Sequence, residues 1–238
     1  MAKRKTGQQT IFTKNNLKLK EILPLTFNQH KFFDQYETGA HLFVTGCPGT
    51  GKSFLSIYNA LKEMMEKREI KQLIIMRSVV PGRDIGFLPG TAEEKGAIYE
   101  APYEAMFAEL FSRADAYELL KKEGVVVFTT TSFLRGLTFK DCILVVDELQ
   151  NMKFEELNTV ITRAGSNSKL MFCGDFYQTD LNKRNDPSGF HKFKSIIEMI
   201  PDFGFIEMGV EDIVRSLLVK RYIMARIEWE KKNEPSKE

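Results

Sequence analysis

Six short apolar runs punctuate the chain, at residues 41–45, 72–77, 125–129, 142–147, 170–174 and 203–208. Each is too short for a typical helix and nearly continuous in apolar side chains, the pattern of a strand buried on both faces. Helical stretches separate them. Leu55, Tyr58, Leu61 and Met65 recur three or four apart and predict a helix over 53–67. Phe27, Phe32, Phe33 and Tyr36 give an approximate apolar face to a helix opening at Thr26 and ending at Gly39. Buried strands alternating with helices favour a mostly parallel sheet, because a parallel crossover needs a helix to return the chain. The predicted class is α/β, a three-layer α/β/α sandwich around one central sheet.

Residues 78–124 break this regularity. Turn signals at Pro81-Gly82 and Pro89-Gly90 precede a helical stretch in which Tyr99, Tyr103 and Phe107 lie four apart on one face. Those aromatics read either as core or subunit packing, or as a platform on which bases stack. A chain of 238 residues with 43% apolar side chains can bury one sizeable core, and a single domain over 22–227 is expected. Six of the 34 Lys/Arg and none of the 32 Asp/Glu fall in residues 1–20, so a basic arm over 1–21 precedes a mildly acidic body. The arm reads either as a phosphate-seeking contact with nucleic acid or as a solvated, frayed terminus. The charged tail over 228–238 is expected to fray. No apolar run is long enough to span a bilayer, and the start lacks a secretory apolar stretch. A soluble, cytoplasmic protein is therefore expected, with no membrane partner. Cys47, Cys142 and Cys173 are far apart, and the three histidines share no ligand-like spacing. That points to free thiols and away from a zinc site.

The chemistry is concentrated after the first strand. Gly46, Cys47, Pro48, Gly49, Thr50, Gly51, Lys52 and Ser53 complete the pattern GxxxxGK[ST], with a strand before it and a helix after. Glycines let such a loop curl so that its N–H groups face phosphate oxygens, and the helix adds its positive N-terminal end. Lys52 would reach the β- and γ-phosphates, the Ser53 hydroxyl would ligate Mg²⁺, and the adjoining Phe54 joins the candidate nucleotide-binding set. A carboxylate for the metal should come from the end of another buried strand. The run ending Val145-Val146-Asp147-Glu148 supplies it: Asp147 would hold Mg²⁺ through its water shell, and Glu148 would orient and deprotonate the attacking water.

The same region argues against guanine. A signalling GTPase would place glycine at position 150, which is Gln, and its guanine-reading NKxD is reduced to the near miss Asn182-Lys183-Arg184-Asn185. A strand at 125–129 between the two motifs is expected to separate the loop strand from the Asp147 strand. With Glu148, that marks the hydrolytic branch of these proteins over the nucleotide-kinase branch.

Taken in order, the motifs resemble the PhoH-like family, ATPases related to phosphate-starvation-inducible proteins and akin in their core to superfamily 1 helicases. The resemblance rests on Thr26-x-x-Gln29, the Gly46 loop, Arg77 with Gly86-Phe87-Leu88-Pro89-Gly90, Leu134-Arg135-Gly136-x-Thr138, Asp147-Glu148-x-Gln150-Asn151, Gly174-Asp175-x-x-Gln178-x-Asp180 and Asp212-x-Val214-Arg215. It implies a RecA-like core and several roles. Gln29 would read the adenine edge, and Gln178 would sense the γ-phosphate or position water. Arg215, with Arg135 as a second candidate, would neutralise charge on the transferred phosphoryl group. The sequence departs from the family pattern with Cys47 and Leu149 at places usually held by Ala, and with Asn182 where Pro is usual.

The resemblance further implies ATP and Mg²⁺ as ligands, single-stranded RNA or DNA as a partner, and a ring-shaped, hexameric assembly. A single core has no second lobe to close over its nucleotide, so motor action would need neighbouring subunits. A nucleotide-gated assembly or regulatory module is the alternative, and a small-molecule kinase a third.

Overall fold

Alternate residues along each strand point to opposite faces, and here both faces are covered. The structure, a computed structural model, describes residues 7–67, 69–78, 92–131, 136, 138–175 and 189–233. Six strands form one sheet: β1 (His41–Gly46), β2 (Gln72–Arg77), β3 (Val126–Thr130), β4 (Cys142–Asp147), β5 (Ser168–Gly174) and β6 (Phe203–Met208). Their order is β3-β2-β4-β5-β1-β6, and every pairing is parallel. The chain is thus an α/β sandwich with a wholly parallel sheet.

On one face Leu42, Val44, Leu73, Ile75, Ile143, Val145, Met171 and Cys173 join the larger core. Their neighbours Phe43, Ile74, Met76, Leu144, Val146, Leu170 and Phe172 join the other. Helices α2 (Phe27–Glu37), α3 (Lys52–Glu66), α4 (Ala92–Phe111) and α5 (Ala116–Lys122) supply the first core. Helices α6 (Phe154–Thr162) and α7 (Phe190–Ile197) supply the second.

Several expectations are corrected. The strand that separates β1 from β4 is β5, which follows the Asp147 strand in sequence; Val126–Thr130 lies at the sheet edge beside β2. Separation of the two motif strands therefore holds, but through a different element. Tyr103 and Phe107 are fully buried among core side chains, so the base-stacking reading fails for both. Phe27 is 81% exposed and leaves the apolar face of α2 to Phe32, Phe33 and Tyr36.

The basic arm is docked from Ile11 onward. A helix α1 (Gly7–Lys14) buries Phe12 against Phe111, and Leu17 is buried behind it. The Lys20 N–H donates to the Leu110 carbonyl at 2.8 Å, and the Arg113 guanidinium caps the Asn15 carbonyl. At the other end, α8 (Leu217–Asn233) carries helix well into the stretch expected to fray. Among the described residues no helix is long and apolar enough to cross a membrane. Cys47, Cys142 and Cys173 are buried and free.

Candidate nucleotide site

Parallel pairing brings the carboxyl ends of the strands to one edge of the sheet. Thr45 lies opposite Gly174, Gly46 opposite Met208, and Arg77 opposite Asp147. Ligands of open α/β sheets bind at this edge. A cleft of about 370 Å³ opens there, lined by the Pro48–Phe54 region, Arg77, Pro102, Tyr103, Met106, Asp147, Glu148, Gly174, Asp175 and Arg215.

The loop's backbone requires glycine at specific places. Gly46 has φ +144°, and a Cβ there would lie 2.0 Å from the Met208 carbonyl oxygen. That oxygen belongs to a paired strand and also accepts the Cys47 N–H at 3.0 Å, so it has no room to move. Gly49, at φ +78°, would place a Cβ 2.7 Å from Arg215 Cγ, the stem of a flexible side chain. Gly46→Ala is expected to cost about 3 kcal/mol or more of stability, read from the urea midpoint, and Gly49→Ala clearly less.

Lys52 opens α3 and folds back over the loop, donating to the carbonyls of Gly46 at 2.9 Å and Cys47 at 2.7 Å. Burial lowers its pKa, and the charges of Asp175, Asp147 and Glu148 oppose that shift. The Ser53 hydroxyl donates to Asp147 Oδ1 at 2.6 Å, so the two predicted metal-side residues meet directly. Cys47 is fully buried, and burial, with Asp175 nearby, pushes its thiol up to about 11. It stays a protonated packing residue, as expected for a site usually held by a small side chain.

Asp147 ends β4, and Glu148 follows in the left-handed conformation at φ 55°, ψ 42°. A non-glycine residue held there costs about 1–3 kcal/mol and is characteristic of functional turns. Burial, then the adjacent Asp147 charge, raises the Glu148 pKa; Arg77, Gln150 and Lys52 act the other way. Gln150 donates to Glu148 Oε2 at 2.5 Å and accepts the Asp175 N–H at 3.0 Å. It bridges the turn after β4 to the end of β5, fixing the Glu148 carboxylate.

The flanks are held by Asp212, which is fully buried. It accepts from the Thr26 hydroxyl at 2.5 Å, the Asn28 amide at 2.7 Å and the Gly209 N–H at 2.8 Å. This draws the start of α2 to the turn after β6. On the α2 side, buried Gln29 donates to the Thr50 carbonyl at 3.0 Å and accepts the Leu25 N–H at 2.8 Å, so its amide already braces the loop. On the other side, Val214 N–H donates to the Gly49 carbonyl at 3.1 Å, and Arg215 lines the cleft of its own chain.

The predicted residues Gln29, Gly46 to Phe54, Asp147, Glu148 and Arg215 thus converge. Gln178 and Arg135 lie outside the described residues, as do Gly86 to Gly90, Asp180 and Asn182. Residues without an assigned role also line the cleft or order it: Arg77, Tyr103, Gln150 and Asp175. In the sequence, Arg77 and Gln150 stand out only as members of ordered motifs.

A family model described as PhoH-like protein matches residues 21–226. The chain belongs to the PhoH-like family. It is 32% identical to a PhoH-like protein of Mycobacterium leprae over 216 residues, covering 89% of this chain and 60% of the relative. It is also 32% identical to a PhoH-like protein of Bacillus subtilis over 212 residues, covering 88% and 65%. This PhoH-like chain therefore spans about 60% of the length of the curated relatives it matches. The large terminase of a thermophilic bacteriophage superposes with a TM-score of 0.48 at 12% identity, covering 90% of this chain and 51% of its own, too remote to bear on activity.

The cleft suits a phosphate chain accompanied by a divalent cation. Three cationic side chains, Lys52, Arg77 and Arg215, face three acids, Asp147, Glu148 and Asp175. Among the described residues no group of three or more His, Cys, Asp or Glu could hold a metal alone. An ion here would draw on hard oxygen donors, Ser53 and the Asp147 water shell, plus phosphate, the donor set that Mg²⁺ prefers.

Proposed function

We propose that this chain binds ATP with Mg²⁺ and hydrolyses it, with hydrolysis coupled to binding or remodelling single-stranded RNA or DNA. The observation that carries the ATPase part is the meeting of two sequence-distant motifs across one cleft: Lys52 and Ser53 at the start of α3, against Asp147 and Glu148 at the end of β4. Lys52 and the loop N–H groups bind phosphate oxygens, and Arg215 neutralises charge from the opposite flank. Ser53 and Asp147 would hold Mg²⁺, which when bound would supply charge neutralisation at the phosphates. Glu148 orients water and accepts its proton, with Gln150 holding it in place. Gln29 contributes adenine selection with the part of its amide not used on Leu25 and Thr50.

The nucleic-acid part rests on the family's kinship with superfamily 1 helicases. An alternative, a nucleotide-gated assembly, draws on a different observation. Leu25, Phe27, Leu217 and Leu218 are each more than 60% exposed; the first two flank Thr26, whose hydroxyl donates to Asp212, and the last two open α8. Covering such side chains would favour a homo-oligomer, in keeping with a hexameric ring.

The test is phosphate release from ATP by the purified protein, with and without Mg²⁺, single-stranded RNA and single-stranded DNA. Turnover should require Mg²⁺ and rise several-fold with polynucleotide. No turnover under any condition would end the ATPase reading. Turnover indifferent to polynucleotide, with no ATP-dependent binding of it, would drop the coupling and favour the assembly reading. Consumption that needs a small-molecule phosphate acceptor would instead indicate a kinase.

A further inference from the structure

A buried tyrosine hydroxyl usually finds a partner, and its choice of partner carries information. Tyr103 sits on α4 with its ring fully buried, packed against Phe128 at 5.8 Å between centroids. Its hydroxyl donates to Asp147 Oδ2 at 2.8 Å. A carboxylate oxygen can only accept, so the phenol is the donor of this bond. The other oxygen of the same carboxylate, Oδ1, takes the Ser53 hydroxyl and the Glu148 N–H. The two oxygens are therefore divided: one faces the loop serine and the other is held from behind.

One helical turn earlier on α4, the Tyr99 ring lies 5.7 Å from the Arg77 guanidinium. Arg77 is the β2 residue directly opposite Asp147 in the sheet, and it lines the cleft. Helix α4 thus touches the metal side of the cleft at two adjacent points. Packing alone does not require that a hydroxyl, instead of a Phe, stand at position 103.

We propose that Tyr103 is a positioning residue for the metal-bearing half of the site: its hydroxyl fixes the plane of the Asp147 carboxylate and links that carboxylate to α4. The proposal rests on the nucleotide reading above. Removing a partner of this kind, one step behind a metal-side carboxylate, typically lowers metal affinity or activity by about 10–100-fold.

The test is Mg²⁺ titration of fluorescent ATP-analogue binding to the full chain. Tyr103→Phe keeps the ring and loses only the hydroxyl. It should raise the Mg²⁺ concentration for half-maximal binding by about 10–100-fold, with saturating Mg²⁺ restoring binding. Phe107→Leu, a change in the same helix within the core, should lower thermal stability while leaving the Mg²⁺ midpoint at the wild-type value. A Tyr103→Phe midpoint within two-fold of wild type overturns the proposal alone. A wild-type chain with no Mg²⁺-dependent binding overturns the nucleotide reading and this inference with it. Should Tyr103→Phe fail to fold, amide exchange of wild-type α4 decides. Slowing around Tyr103 with Mg²⁺ and nucleotide, but not with nucleotide and chelator, supports the link, and no difference overturns it.

Discussion

Glu148→Gln is expected to keep ATP binding near the wild-type level while lowering turnover by about 10²–10⁴-fold, the usual contribution of a positioned general base. Glutamine preserves the shape and can still pair with Gln150, whose amide meets the Glu148 carboxylate at 2.5 Å. It cannot accept a proton from water. The pH dependence gives a second readout. Only the ionised carboxylate acts as base, and burial beside Asp147 raises its pKa. Wild-type turnover should therefore fall on the acidic side as Glu148 takes up its proton, and Glu148→Gln should lose that limb. Stability should move oppositely. A carboxyl whose folded pKa is raised binds its proton more tightly when folded; its stabilising share is complete below the unfolded pKa and lost as pH rises through the folded value. At neutral pH the neutral glutamine escapes that loss, so the nucleotide-free variant should melt above wild type. A variant with normal turnover would remove Glu148 from the role of base.

Strands β1, β2, β4 and β5 could be read from the sequence because they lie inside the sheet, buried on both faces, and the edge strands β3 and β6, though partly covered, still carry apolar side chains. Their lateral order could not. Periodicity reports whether a segment is a strand, not its neighbour, and the assumption that the intervening strand would come from between the two motifs placed 125–129 where β5 lies. The docked arm was hidden by its charge: Lys/Arg without any Asp/Glu set the reading of this segment, while its two buried core side chains, Phe12 and Leu17, stand five apart with Lys14 between them. Charge described the surface of that segment and missed its inward face.

The candidate site shows the same division. The glycine loop and the Asp147-Glu148 pair were legible because phosphate and metal chemistry restricts residue type at fixed spacing. Tyr103 was visible as part of an aromatic stripe, but spacing cannot reveal that its apolar ring and its hydroxyl serve different ends. Gln150 acts by bridging β4 to β5, a contact between elements that become neighbours only in the folded sheet.

Lys52→Ala should remove productive nucleotide binding. The ammonium donates to two loop carbonyls, Gly46 and Cys47, which keep the lysine at the loop where phosphate oxygens would lie. Replacing those carbonyls with phosphate oxygens exchanges neutral acceptors for charged ones, and charge-assisted bonds are about twice as strong. Truncating one partner of a buried, hydrogen-bonded charge pair costs about 2–5 kcal/mol, which is ~30-fold to ~4,000-fold in Kd. Calorimetry or fluorescent-analogue binding would measure it. The loss should exceed that range's lower end, because Asp147, Glu148 and Asp175 then face the phosphates with, among the described lining residues, Arg77 and Arg215 to offset them. Lys52→Arg should not restore affinity. A planar fork cannot take the place of a compact ammonium held between two carbonyls 2.7 and 2.9 Å away. Wild-type affinity in Lys52→Ala would mean that nucleotide binds elsewhere, and the glycine loop would lose its assigned role.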